Sequence, residues 1–502
     1  MSEWRRRALL ALAGVGMGAG QAPFSLWWLA LLALAAVLWL LPGAASLRGA
    51  ALRGWWAGAG YVLATHFWII DPFLVDPVRH GWMAPFALLG MAGGLALIFG
   101  AGTALAHWLG WNAQSRGLAL IPALLLAELF RAYGLTGFPW APLGSLWLET
   151  PVAQTAALWG VHGLGALTLC LLLVPMALRA RPGLAAGAAV LSLATVAGLW
   201  LWGAGRMAAP QEPTGQVVRV VQPNAAQHLK WDPAYMPIFF NRARELTAIA
   251  GPEGTRPDLI VWPETSVPAL LHHADNLIAA IEEAAQGVPV LFGVQRSEAG
   301  LYYNSLGALR EGEVQIYDKR HLVPFGEYLP FGELLSQWGI THLASAQGYG
   351  YAPGPEGQAL LDLGPLGKGL PLICYEGIFP QDLRGFPERA DWLVLVTNDA
   401  WFGKLTMPYA HLDQARMRAI ETGLPMIRAA NTGISAVIDA EGRVITRLGL
   451  GETGYADAPL PPPRAETPYA RQGDLPVLLW GLAFLLALGA GRIAIDRRRR
   501  AS

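Results

Sequence analysis

The chain has 502 residues, of which 54% are hydrophobic and only 14% charged, against about 25% charged in an ordinary soluble domain. Part of it therefore belongs in lipid, and the balance of 36 basic and 36 acidic residues leaves no net field to recruit nucleic acid. Two cysteines, Cys170 and Cys374, are too few and too far apart for a disulfide framework or a cysteine-ligated zinc site.

The N-terminal stretch MSEWRRRALLALAGVGMGAG has the basic start and apolar core of a signal peptide. Further apolar segments follow at once, which favours an uncleaved first membrane helix. A bilayer takes about 20 apolar residues of helix to cross, and residues 1–206 supply such segments centred near Ala13, Leu34, Val62, Ala96, Ala123, Gly165 and Val190. These predict a bundle of seven spans. The glycines of GVGMGAG lack the Gly-Lys-Ser/Thr continuation of a phosphate loop and read as close helix packing. Cys170, in LTLCLLLVP, reads as lipid-embedded packing. Among the ionisable residues inside the spans, His66, His107, Glu128 and His162 trace no translocation path, and Glu128 is expected to pair with Arg131 near a helix end.

After Arg206 the pattern changes to strand-like runs alternating with charged amphipathic helices, which marks residues 213–465 as a separate water-soluble domain. A final apolar run at 475–491 precedes Arg497 to Arg500, so 466–502 reads as an eighth span with a basic tail. Lysine and arginine flanking spans stay in the cytoplasm. Arg5 to Arg7, Arg48, Arg53, Arg116, Arg179, Arg181 and the terminal arginines all fall on one side of an eight-span arrangement. With an odd number of spans before it, the soluble domain lies outside the cytoplasm.

Within that domain the strand candidates are QVVRVVQPN, DLIVWPET, VPVLFGVQRS, YYNSLGALR, EVQIYDKRHL, LPLICYEG, DWLVLVTND, MIRAANTGISAVIDA and RVITRLG, with helices near 241–249, 273–285 and 409–422. Strands that are apolar almost throughout predict an α/β domain whose sheets are covered on both faces. Three strand ends carry groups that act together: Glu264 in VWPET, Lys319 in YDKRHL and Cys374 in ICYEG. A carboxylate accepts the thiol proton, the thiolate attacks a carbonyl carbon, and the ammonium stabilises the oxyanion. That is acyl transfer. It needs no metal, and no HExxH or comparable histidine spacing is present.

These residues carry a resemblance. The soluble domain resembles the nitrilase, or carbon-nitrogen hydrolase, superfamily, whose Glu-Lys-Cys triad matches Glu264, Lys319 and Cys374 in order and context. With the bundle, the whole chain resembles the bacterial apolipoprotein N-acyltransferases, through TGFPWAPLG at 136–144, VQPNAAQHLKW at 221–231, NSLGAL at 304–309, YDKRHLVPFGEYLP at 317–330, ICYEGIFP, VTNDAWFG at 396–403 and RAANTGISAVID at 428–439. The resemblance implies a polytopic helical membrane bundle of about eight spans plus an αββα nitrilase-like sandwich. It implies no cofactor, an acyl donor such as phosphatidylethanolamine, and a diacylglyceryl-cysteine apolipoprotein acceptor. The location implied is the periplasmic side of the bacterial inner membrane, and the enzyme is expected to act as a monomer.

Carried over to this chain, Cys374 forms the thioester, Glu264 shuttles the proton and Lys319 stabilises the oxyanions with the backbone amide of Tyr375. Glu327 is the additional active-site glutamate, and Glu376 is a further supporting residue. The aromatic segment with Phe325, Tyr328, Phe331, Leu334, Leu335 and Trp338 reads either as a substrate arm at the bilayer surface or as a loop packed on the domain. Trp231, Trp401 and Phe402 are candidates for an acyl pocket. Asn398 is a candidate substrate contact, and both it and Asp399 also suit a turn that supports the site. Two rival readings are a membrane-tethered amidase or nitrilase acting on a small amide, and a transporter or receptor whose nitrilase-like domain only binds ligand.

Overall fold

A computed structural model describes residues 2–251, 254–330 and 350–501. The chain divides into two compact units. The first comprises Met1–Ala209, Leu405–Asp413 and Thr467–Ser502, and the second Pro210–Lys404 and Gln414–Glu466.

In the first unit each expected span centre falls inside a helix: Glu3–Gly18, Trp27–Leu40, Leu47–His66, Ala84–Leu109, Ala113–Tyr133, Ala156–Ala177 and Pro182–Ala208, with Leu475–Ala501 at the C-terminal end. Among the described residues, five helical segments are long and apolar enough to cross a membrane: Pro77–Leu109, Ala113–Tyr133, Pro151–Ala177, Pro182–Ala208 and Leu475–Arg500. Glu3–Gly18 and Trp27–Leu40 have only 16 and 14 residues, and Leu47–His66 is diluted by Arg48, Arg53 and His66. Glycine sets how closely helices approach. A Cβ on Gly14 would lie 2.1 Å from the Ala57 carbonyl oxygen, and one on Gly60 2.1 Å from that of Ala11, so Glu3–Gly18 and Leu47–His66 meet backbone to backbone.

Between the helices Ala113–Tyr133 and Ala156–Ala177 the chain leaves the α-helix for a loop with two short 3-10 helices, Leu143–Trp147 and Pro151–Thr155, and the peptide groups outside them need partners inside the unit. Side chains supply them. Tyr61 donates to the Ala141 carbonyl at 2.8 Å, and Arg131 donates to those of Phe138 at 2.9 Å and Trp140 at 2.5 Å. Glu128 accepts from the Leu143 N–H at 3.0 Å and meets His162 Nδ1 at 3.1 Å. The expected Glu128–Arg131 pair is therefore corrected. Each of the two grips the neighbouring loop, and the partner of the carboxylate is His162 from the next helix.

Among its described residues the second unit contains two six-stranded sheets. The first uses β1 (Val217–Gln222), β2 (Leu259–Val261), β3 (Val290–Glu298), β4 (Leu301–Arg310) and β5 (Glu313–Asp318). The second uses β6 (Leu361–Asp362), β7 (Lys368–Ile373), β8 (Trp392–Thr397), β9 (Met426–Ala430), β10 (Ser435–Ile438) and β11 (Val444–Leu448). The last strand, β12 (Gly454–Pro459), returns to the first sheet. The orders are β12-β1-β2-β3-β4-β5 and β11-β10-β9-β8-β7-β6. Strands β1, β2 and β3 run parallel, as do β7, β8 and β9. Parallel neighbours require crossovers, which helices Met236–Ala248, Asp275–Ala285 and Met407–Thr422 provide for three of the four pairs, while β7 reaches β8 through the 3-10 helices Cys374–Ile378 and Pro380–Leu383. The stretch 426–440, read from sequence as one strand, is the hairpin of β9 and β10.

Alternation along the strands assigns the layers. Val218, Val220, Leu259 and Val261 of the first sheet share one buried core with Ile373, Val394, Val396 and Ile427 of the second, so the sheets pack face to face. Val221, Ile260 and Phe292 point the other way, into a second core with Phe240 and Ile281 of the covering helices. With β8 and β9 joined by Met407–Thr422 over the opposite face, the order of layers is αββα.

Candidate active site

The pairing registers bring distant residues to one end of the sheets. Ile373 of β7 lies beside Val396 of β8, which sets Cys374 and Thr397 next to each other where both strands end. Ser305 of β4 pairs with Asp318 of β5, so Asn304 and Lys319 are opposite, and the Lys319 N–H donates to the Asn304 carbonyl at 2.9 Å.

Glu264 follows β2 and is 7% exposed. Its Oε1 accepts from Asn304 Nδ2 at 2.7 Å and its Oε2 from the Asn398 N–H at 2.8 Å. Both oxygens are thereby aimed. Lys319, 1% exposed, places Nζ 2.9 Å and 2.8 Å from the two oxygens of Glu327, and 3.9 Å from Glu264 Oε1. Burial opposes the Lys319 charge, yet Glu327, the Cys374 sulfur and Glu264 together raise its pKa, so the ammonium stays protonated. Glu327 is held in turn by the Val323 N–H at 2.8 Å and by Asn304 at 3.2 Å.

Cys374 has φ 52°, a left-handed conformation that costs an L-residue about 1–2 kcal/mol. It is the sharp turn from β7 into the 3-10 helix Cys374–Ile378, and it leaves the half-buried side chain at the strand end, packed against the inter-sheet core. Burial and the Glu264 charge raise the thiol pKa, while Lys319 and a hydrogen bond with Thr397 lower it, the net shift being upward. The resting sulfur is therefore a thiol, and it needs a base to become nucleophilic.

Glu376 is fully buried and joins the two reactive segments. Its Oε1 accepts from Tyr317 Oη at 2.8 Å and from the N–H groups of Arg320 at 2.7 Å and His321 at 3.2 Å, while its Oε2 accepts from the Ile373 N–H at 2.7 Å. The carboxylate thus ties the loop after Lys319 to the turn that presents Cys374. The Tyr375 ring packs edge-on against Phe379, with centroids 4.9 Å apart, and beside His321. The Asn398 side chain is engaged by Gln227 and Asn431, at 2.8 and 2.9 Å, so the contact it makes with Glu264 is through its main chain. Asp399 and Arg428 form a fully buried pair at 2.6 Å beneath it.

Trp231 is 43% exposed and lines a small cavity beside Glu264. Trp401, 42% exposed, and Phe402 lie on the turn after β8. Phe331, Leu334, Leu335 and Trp338 lie outside the described residues, and Phe325 and Tyr328 precede them. Sequence reasoning did not single out Asn304, which bridges both glutamates, nor Lys230. The signal for each was a polar residue inside a family-like motif, NSLGAL and VQPNAAQHLKW.

Helices suited to crossing a membrane and a two-sheet domain with Cys374 at a strand end define a membrane protein of the carbon-nitrogen hydrolase class, and the carbon-nitrogen hydrolase family model matches residues 218–468. The model of the apolipoprotein N-acyltransferase N-terminal domain matches residues 13–174. The chain is 38% identical to the apolipoprotein N-acyltransferase of Brucella suis biovar 1 (strain 1330), over 99% of this chain and 98% of that protein. It is 39% identical to that of Caulobacter vibrioides, over 98% and 96%, and 38% identical to that of Bradyrhizobium diazoefficiens, over 97% and 95%. The chain belongs to the apolipoprotein N-acyltransferase family.

Proposed function

We propose that the chain moves an acyl group from a phospholipid to the N-terminal diacylglyceryl-cysteine of an apolipoprotein, the last step of lipoprotein maturation, through a thioester on Cys374. The observation that carries this reading is the convergence of Glu264, Lys319 and Glu327 on the turn of Cys374, within a chain of this family.

In the first half-reaction Cys374 Sγ attacks an ester carbonyl of the donor, phosphatidylethanolamine, while Glu264 takes the thiol proton. Lys319 faces the oxyanion, with the Tyr375 amide beside it. The intermediate collapses, the C–O bond breaks, and Glu264 returns the proton to the departing lysophospholipid. In the second half-reaction the α-amine attacks the thioester and Glu264 accepts its proton. The C–S bond then breaks, leaving an amide on the acceptor and a protonated Cys374. Glu327 holds Lys319, and Glu376 holds the loop.

Both substrates keep their chains in the bilayer, since each buried methylene is worth about 0.8 kcal/mol, so the site must come to the membrane. We place residues 1–206 as seven spans and 466–502 as the eighth, with the arginine-rich ends in the cytoplasm and the catalytic domain, 213–465, on the periplasmic face of the inner membrane. Trp231, Trp401, Phe402, Phe331 and Trp338 are assigned to lipid contact, and the protein acts as a monomer.

Intact mass spectrometry after incubation with phosphatidylethanolamine tests the reading. A hydroxylamine-sensitive acyl adduct on Cys374 that passes to an added diacylglyceryl peptide, and is absent in Cys374→Ala, is the expected result. An adduct lost only to water would establish a hydrolase instead, and no adduct on folded protein would return the domain to ligand binding.

A further inference from the structure

Two buried lysines border Glu264, and they differ in how their charge is met. Lys319 is clasped by the Glu327 carboxylate. Lys230, 7% exposed, gives its Nζ donors to two neutral acceptors, the Glu264 carbonyl at 3.1 Å and the Thr265 hydroxyl at 2.6 Å. An ammonium has three N–H donors, and no third acceptor for Lys230 exists among the described residues. The side chain borders the cavity whose walls include Trp231, Met236, Phe239, Pro263 and Glu264. That cavity is apolar on one side and carries a cation with a spare donor at its catalytic end.

We propose that Lys230 binds the anionic phosphodiester of the lipid donor, seating the headgroup in this cavity so that the adjoining ester reaches Cys374. The inference rests on the acyl-transfer reading above and adds to it the group that recognises a phospholipid as opposed to a neutral ester. A buried ammonium without a carboxylate partner is costly for the fold, and an incoming anion in a poorly solvated site offsets that cost. The electrostatics agree. Burial pushes Lys230 down to about 8, with only partial compensation from Glu264 and Cys374, whereas the carboxylates around Lys319 shift that residue the opposite way. Glu264 also borders the cavity, and both its carboxylate oxygens are already engaged by Asn304 and the Asn398 N–H. Trp231, its ring centroid 5.7 Å from the Lys230 nitrogen, supplies an amphipathic wall of the kind found at lipid headgroup depth.

The test measures acylation of Cys374 in the full-length protein, in detergent micelles, from phosphatidylethanolamine and from diacylglycerol with the same chains. In Lys230→Met the kcat/KM for the phospholipid is expected to fall at least tenfold further than that for diacylglycerol, chiefly through KM. Lys230→Arg is expected to restore most of the preference. Equal losses with both donors would show that Lys230 only supports the Glu264 turn and would overturn the proposal, as would a wild-type enzyme with no preference. A second measurement does not depend on turnover. Native mass spectrometry of Cys374→Ala should show lysophosphatidylethanolamine bound more tightly than monoacylglycerol, with the difference lost when Lys230→Met is added. If that difference is present while no acyl adduct ever forms on Cys374, the acyl-transfer reading fails and the phosphodiester site stands; if it is absent, the site fails.

Discussion

Lys319 Nζ lies 2.8 Å from Glu327 Oε2, while the carboxylate of Glu264 keeps 3.9 Å from the same nitrogen. The near glutamate neutralises the ammonium, and the far one is left to Asn304 and the Asn398 N–H. The oxyanion role proposed for Lys319 therefore does not tie up the carboxylate proposed for proton transfer.

This division of labour predicts the effect of Glu327→Gln. With its anion gone, Lys319 is drawn to Glu264 and pairs with the base. Thioester formation should slow by about 10²–10³-fold, the scale of losing a preorganised oxyanion donor, with little change in the KM for the lipid. Stopped-time mass spectrometry of the acyl adduct reads the rate, and a loss confined to KM would contradict the assignment.

The Cys374 thiol is raised by burial and by Glu264, and the sign of its pH dependence follows. Below a raised pKa the thiolate fraction is small and grows about tenfold per pH unit. Alkylation of Cys374 by iodoacetamide should therefore be slower at pH 7 than that of free cysteine, and should climb steadily beyond pH 9. In Glu264→Gln one anion is removed, so the climb should begin at lower pH. Rate profiles that coincide in the two proteins would argue against the two groups acting on each other.

Gly293 in β3 leaves the room that the Glu264 turn occupies. A Cβ there would stand 2.2 Å from the Thr265 nitrogen and 2.6 Å from Glu264 Cα, both main-chain atoms that no rotamer change can move. Gly293→Ala should push Glu264 out of register and lower kcat by about 10²-fold, the cost of misplacing a catalytic group by about 1 Å. Turnover near wild type would mean that the turn has slack.

Asp399 and Arg428 are both fully buried and 2.6 Å apart. Arg428→Met alone leaves a buried carboxylate without its countercharge and should destabilise the second unit by about 3–5 kcal/mol, read from denaturant unfolding. Adding Asp399→Leu should recover much of the loss, because the pair is stabilising mainly relative to half of itself.

The sequence already placed Glu264, Lys319 and Cys374 at strand ends, because an apolar run that stops at a charged or turn-forming residue reports local physics. Alternating burial within a strand and the length of an apolar helix need no knowledge of distant neighbours. For the same reason the helices around Ala96, Ala123, Gly165 and Val190 were legible, whereas β12 and the break between β9 and β10 were not. The former is defined by its return to β1, and the latter by a short turn inside a run that is apolar overall.

Tertiary structure alone decided which groups meet. Asn398 reaches Glu264 across 134 residues of chain, and Asn304 touches two glutamates far from it in sequence. Glu128 turns to His162 on the next helix in preference to Arg131, three residues away. Nothing in the sequence sets Lys230 apart from its neighbours; folding buries it against the Glu264 turn. Propensity and periodicity act within a few residues, so they determine elements and their ends. Partners of buried charges depend on strand order, register and helix packing, and these arise only when the whole chain closes its two units.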